Sequence, residues 1–210
     1  MKINKKYVTA FVVLSLVILF DQAVKIWVKT HMALYDSYEI ASWFKIYFVE
    51  NNGMAFGIEV IGKLFLTLFR IVAVVFGFYY INKLLKAETK AGYIACVSLI
   101  LAGALGNIID SVFYGVFFSE SYQGYVASFV PMGQGYAGWL HGKVVDMLYF
   151  PLIEGSYPDW FPFVGGNKFI FFSPIFNIAD SAISVGIFIL LIFYRKTLSE
   201  SLQKTNVDEL

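Results

Sequence analysis

Four apolar runs, at about 7–28, 64–81, 92–109 and 169–194, constrain this chain more than any other feature. About 20 apolar residues cross a ~30 Å hydrocarbon core as a helix. Hydrocarbon offers no partners to backbone N–H and C=O groups, so a lipid-facing run of this kind must be helical. Composition agrees: 59% of residues are hydrophobic and 15% charged, where a soluble domain has roughly half and about a quarter. The sequence therefore predicts an all-α membrane protein, with residues 1–210 forming a single integral membrane domain of four transmembrane helices. The first run follows Lys2, Lys5 and Lys6, as a leader peptide would. No small-x-small cleavage site follows it, and the helical pattern continues through Asp21 and Lys25 to Val28, so a retained span is expected.

Basic residues set the orientation. Lys2, Lys5 and Lys6 precede the first run; Lys83, Lys86 and Lys90 crowd the second connection; Arg195, Lys196 and Lys204 follow the last run. These are nine of the 16 Lys and Arg residues, all in short segments on one side. Both termini are expected to be cytoplasmic, with outer segments at about 29–63 and 111–168. The stretch "SWFKIYFVENNGMAFGIEVIG" alternates loosely and has a turn signal at Asn51-Asn52-Gly53, which predicts a small extracytoplasmic β-hairpin or cradle. The segment 111–168 is rich in Phe, Tyr, Trp, Gly and Pro. Its aromatics suit the headgroup level of a bilayer, and a small folded outer subdomain is the alternative.

Several chemistries lack their signatures. A net charge of +1 with no basic run or Gly-rich phosphate loop gives no case for nucleic acid. The single cysteine, Cys96, cannot form an intrachain disulfide and reads as a small core residue. No G-x-S-x-G or H-E-x-x-H occurs, and His31 and His141 lack metal-ligand spacing.

What stands out is carboxylates inside apolar runs. A charge at the bilayer centre costs about 2.5–3.5 kcal/mol on insertion scales and is normally paired or functional. At ~1.5 Å per helical residue, Asp21 lies ~21 Å from the inner boundary, Asp110 ~27 Å and Asp180 ~21 Å. All three fall in the outer third of the core, which a shared site requires. Asp21 and Lys25 are spaced i,i+4, acid first, as for a helical ion pair. Asn107 with Asp110, and Asn177 with Asp180, are spaced i,i+3 and share a helical face, so each amide can hold its carboxyl. Each such pair is equally readable as interhelical glue. Arg70 reads as snorkelling or paired. Asp146, in "HGKVVDMLYFP", sits in a short buried or interfacial segment and is a weak signal alone. Two adjacent carboxylates share one proton, so one can take a proton from water while the other donates. On periodicity, the near-identical "NIIDS" (107–111) and "NIADS" (177–181) nominate Asp110 and Asp180 as that pair.

Five motifs, in order along the chain, resemble those of the bacterial lipoprotein signal peptidases (signal peptidase II). "FDQAVKIWV" resembles D-Q-x-x-K; "NNGMAF" resembles N-x-G-A-A-F with Met54 in place of the first alanine. "AGALGNIIDS" resembles G-G-A-x-G-N-x-x-D-R, "VVDM" resembles V-V-D-F/M, and "FNIADSAISVG" resembles F-N-x-A-D-x-x-I. The resemblance spans Asp21 to Gly186. It implies an intramembrane aspartic protease of the bacterial inner membrane that acts near the outer leaflet. Its substrates would be prolipoproteins, cut just before the lipid-modified cysteine, and membrane lipids and globomycin-type inhibitors would be its other partners. It implies neither metal nor organic cofactor. By motif position Asp146 and Asp180 match the catalytic dyad. Asp21, Lys25, Asn51, Gly103, Asn107, Asp110, Asn177 and Ala179 match supporting positions.

The chain departs from the pattern in two respects. Ser111 stands where the family has arginine, with Arg70 a candidate substitute. The connections of 36 residues from Asp110 to Asp146 and of 34 from Asp146 to Asp180 are longer than usual. Two other readings of the buried charges remain: a small transporter, which predicts an inverted repeat and charges near the midplane, and a purely structural membrane protein.

Overall fold

A computed structural model describes residues 4–52 and 62–207. Gly53, Met54, Ala55 and Phe56 of the second motif lie outside the described residues. Among the described residues three helices are long and apolar enough to cross a membrane: α1 (Lys5–His31), α2 (Lys63–Lys86), and α3 (Ala91–Ile109) with its continuation to Phe117. A fourth, α5 (Ile178–Phe193), qualifies together with α6 (Arg195–Val207), which turns away from it by 92°. The outward faces of these helices are apolar. Phe11, Phe76 and Phe193 are each more than 65% exposed, as lipid-facing side chains of a multi-pass membrane protein must be.

α3 forms the centre of the bundle. Tyr93, Ile94, Cys96, Val97 and Leu101 are buried there against Val74 and Ile81 of α2 and Leu190 of α5. Gly103 and Gly106 let the helices approach closely. A Cβ at Gly103 would run into the Ala179 carbonyl of α5, and one at Gly106 would lie 2.7 Å from Asp21 Oδ2. Without an inter-helix hydrophobic effect in lipid, such close backbone approach is a principal source of helix association.

α3 does not end at Ile109. Asp110–Tyr114 form a π-helical turn, followed by a short helix α4 (Gly115–Phe117), so Asp110 lies within a helical column and not at its end. The segment that follows caps this column from outside. Gly142 N donates to Ser111 O (2.9 Å) and Ala137 N to Gly115 O (2.9 Å), satisfying carbonyls that a helix C-terminus leaves unpaired.

The chain is not all-α. Strands β1 (Ser37–Ala41), β2 (Phe44–Asn51), β3 (Val144–Tyr149) and β6 (Ile175–Phe176) form an antiparallel sheet in the order β1-β2-β3-β6. β4 (Ile153–Ser156) pairs with β5 (Lys168–Phe171) as a separate hairpin. The hairpin expected about Asn51-Asn52-Gly53 lies in part outside the described residues; its first half is β2, which ends at Asn51 and pairs with β1 through a turn at Ser42–Trp43. The fourth span also starts later than 169, because residues 168–171 and 175–176 are strands. Aromatic and β-branched residues read alike as buried strand or buried helix. Pro174 lacks an amide donor and disfavours helix before it, and Asn177 caps the true start.

Candidate active site

β3 carries Asp146. In the β2–β3 register Val49 faces Asp146 and Asn51 faces Val144, so Asn51 is the diagonal neighbour of Asp146 on the same face of the sheet. Its Nδ2 donates to Asp146 Oδ2. The other oxygen, Oδ1, accepts from Asn177 Nδ2 at 2.7 Å. Both oxygens of a side chain only 3% exposed thus have an amide donor.

The first turn of α5 carries Asp180. Asn177 caps that helix with extended backbone, its Oδ1 accepting from Asp180 N at 2.8 Å, while Asn177 N donates back to Asp180 Oδ2 at 3.4 Å. This is a reciprocal capping box. Asp180 Oδ1 accepts from Asn107 Nδ2 at 2.8 Å, and Asn177 Nδ2 also reaches Asn107 Oδ1 at 3.0 Å. The two carboxylates are therefore joined by an unbroken chain, Asp146–Asn177–Asn107–Asp180. Asp180 is half-buried, more open than Asp146.

Beneath this chain lies a buried ionic floor. Lys25 Nζ contacts Asp21 Oδ2 (3.0 Å), Asp110 Oδ2 (2.9 Å) and Asn107 Oδ1 (2.9 Å), and Lys25, Asp21 and Asp110 are all fully buried. Three acceptors match the three donors of an ammonium. Gln22 Nε2 ties Asp110 Oδ1 (2.9 Å) to Asp21 Oδ2 (3.1 Å), and Tyr114 Oη donates to Gln22 Oε1 (3.1 Å). The floor then grips the backbone beside each upper carboxylate. Asp21 Oδ1 accepts from Ala179 N (2.8 Å), one residue before Asp180. Asp110 Oδ2 accepts from Val145 N (3.2 Å), one residue before Asp146.

Burial, and next the charge of Asp180, push the Asp146 carboxyl up to about 7, against the opposing pull of Lys25 and the Asn177 hydrogen bond. From α2, Arg70 interacts electrostatically with Asp180, Asp146 and Asp110. Lys63 Nζ lies 3.1 Å from Asn52 O and 3.4 Å from Ser111 Oγ, so cations of α2 approach the position where the family arginine is absent.

All ten sequence-nominated residues converge here, with Gly103 acting through its backbone contact to Ala179. Cys96 is in the bundle core. His31 stacks on Trp27, and His141 bonds Trp139 O at the surface. Among the described residues no group of three or more His, Cys, Asp or Glu is placed to hold a metal ion. Gln22 was not singled out from sequence. Its place beside Asp21 in the D-Q-x-x-K stretch was the available signal.

The sequence profile of signal peptidase II matches residues 13–195. The lipoprotein signal peptidase of Porphyromonas gingivalis is 57% identical over 195 residues, covering 92% of this chain and 85% of that protein. The chain belongs to the signal peptidase II family. The lipoprotein signal peptidase of Amoebophilus asiaticus is 34% identical, with coverage of 98% and 86%. A solved bacterial membrane enzyme superimposes with a TM-score of 0.60 at 25% identity, over 91% of this chain and 90% of its own. Family and apolar helices together identify a multi-pass membrane protease of lipoprotein processing.

Proposed function

We propose that this signal peptidase II is an aspartic endopeptidase that removes the signal peptide of diacylglyceryl-modified prolipoproteins just before the lipidated cysteine, with Asp146 and Asp180 as the dyad. The observation that carries the reading is Asn177, whose amide holds Asp146 while its cap holds Asp180. One residue thereby fixes two carboxylates from different elements relative to each other.

Asp180, the more open member, takes a proton from water as the water oxygen adds to the scissile carbonyl carbon. Asp146 donates its proton to the carbonyl oxygen, giving a neutral gem-diol. The peptide C–N bond then breaks as Asp180 returns its proton to the leaving nitrogen. A gem-diol hydroxyl proton passes back to Asp146 as the carbonyl re-forms, so the dyad ends as it began. A carboxyl that keeps its proton to about 7 suits the donor role. No metal or organic cofactor enters this scheme.

The basic segments at 2–6, 83–90 and 195–204 support cytoplasmic termini in the bacterial inner membrane, which sets the dyad near the outer leaflet. Asp21, Lys25, Asn51, Gly103, Asn107, Asp110, Asn177 and Ala179 are assigned as support for site and substrate. The test is cleavage of a diacylglyceryl-modified prolipoprotein by purified protein in detergent or lipid, with and without globomycin. Cleavage before the lipidated cysteine that globomycin blocks is expected; cleavage elsewhere, or none by folded protein, would refute the assignment.

A further inference from the structure

Segment 118–143 is built around one buried cation. Lys29, in the last turn of α1, is fully buried. It pairs with Glu50 of β2, donates to Ser121 Oγ at 2.8 Å, and lies over the rings of Phe118 (5.5 Å) and Tyr136 (4.9 Å). A single ammonium thus ties α1, β2 and segment 118–143 together. Glu50 Oε1 also accepts from Ser121 (3.1 Å), while Oε2 is buried without a hydrogen-bond partner among the described residues. An ion pair that leaves an oxygen unsatisfied is a poor way to gain stability, because desolvation of both charges offsets most of the attraction. What it supplies is one fixed geometry.

That geometry leads to the dyad by two routes. Glu50 immediately precedes Asn51, the donor to Asp146 Oδ2, and faces Val145 across the β2–β3 ladder. Tyr136 Oη accepts from Lys143 N at 2.6 Å, at the residue that leads into β3. The same ring that covers Lys29 therefore holds the start of the strand bearing Asp146.

We propose that Lys29, Glu50 and Tyr136 are positioning residues for Asp146: through them segment 118–143 sets how β2 and β3 lie on each other, and hence where Asn51 meets the carboxylate. This rests on Asp146 belonging to the dyad, as proposed above.

Tyr136→Phe, Glu50→Gln and the control Lys45→Gln, at a partly exposed pair of the same sheet (Lys45–Glu39, 3.5 Å), separate positioning from folding. In steady-state cleavage of a diacylglyceryl-modified prolipoprotein, Tyr136→Phe and Glu50→Gln should lower kcat roughly ten- to a hundredfold, the cost of a displacement near 1 Å at a reacting group. KM and the detergent-solubilised Tm of Tyr136→Phe should stay near those of the parent, and Lys45→Gln should match the parent throughout.

The pH profile adds a readout that mere loss of fold would not move. Asp146 faces Asp180 on α5, Lys25 on α1, Asp110 on the π-turn and Arg70 on α2, none of them altered. An amide donor favours the ionised carboxylate, so weakening the Asn51 bond raises the Asp146 pKa and moves the alkaline limb of kcat to higher pH. Folded Tyr136→Phe with parental kcat and limb would overturn the proposal. So would a loss that merely tracks the fraction of protein folded, or the failure of both variants to fold. Turnover by Asp146→Asn would instead sink the dyad itself, which keeps the two failures distinct.

Discussion

Two pentapeptides, Asn107–Ser111 and Asn177–Ser181, differ at one residue yet sit in unlike surroundings. In the first, asparagine and aspartate lie on one helical column, where the backbone loosens into a π-turn and Asp110 is fully buried on Lys25 and Gln22. In the second, the asparagine precedes the helix as its cap, and Asp180 stands on the first turn, half-exposed, with amide donors from Asn107 and Asn177. The i,i+3 spacing of amide and acid thus does not decide what holds the carboxylate: the Asn107 side-chain amide donates to Asp180, and that of Asn177 to Asp146 and Asn107. Whether that carboxylate is neutralised by a lysine or left open beside another acid is decided by what packs against it. The two motifs also touch, since Asn107 of the first donates to Asp180 of the second.

That contrast can be broken experimentally. The largest effect is expected for Asp180→Asn and Asp146→Asn, each lowering turnover roughly 100- to 10,000-fold, the usual worth of a general acid or base, with unchanged expression. Robust cleavage by Asp180→Asn would remove the second pentapeptide's claim, and by Asp146→Asn that of its partner on β3. Next is Asn177→Ala, which frees both carboxylates and should cut kcat about a hundredfold, while loss of the cap lowers stability by about 1 kcal/mol; chevron or thermal data separate the two.

Asp110→Asn should act the other way round. It leaves the buried Lys25 short of a charge, and breaking such a pair costs roughly 3–5 kcal/mol. Yield and Tm should therefore fall at least as far as turnover per folded molecule. A stable, inactive Asp110→Asn protein would give the two motifs equal chemical rank.

Smaller still is the pH effect. With Asp146 pushed up to about 7 by burial and Asp180, kcat should decline as pH rises through about 7, because the donor has then lost its proton. A flat profile to pH 9 would move the proton donor elsewhere. Ser111→Ala should be smallest, because among the described residues the hydroxyl meets Lys63 at a long 3.4 Å; a large loss would give this serine a part of its own.

Much of this was legible in the chain. The apolar runs mark the helices α1, α2 and α3, since lipid permits little else, and depth arithmetic puts Asp21, Asp110 and Asp180 in one third of the hydrocarbon core. The start of the fourth span was misread because Phe169–Phe176 is apolar enough for a helix. Strand pairing with β3 and β4 claimed those residues instead.

The resemblance named Asp146, but periodicity alone nominated Asp110, and no local pattern distinguishes them. Sequence by itself determined that several carboxylates lie in or beside apolar runs, where each needs a partner. Only the tertiary structure decided which was paired with lysine and which with another acid. That choice depends on β3 meeting the α3 column across 35 residues of chain and α1 meeting α5 across 158, and burial and electrostatics respond to distance in space, not along the sequence.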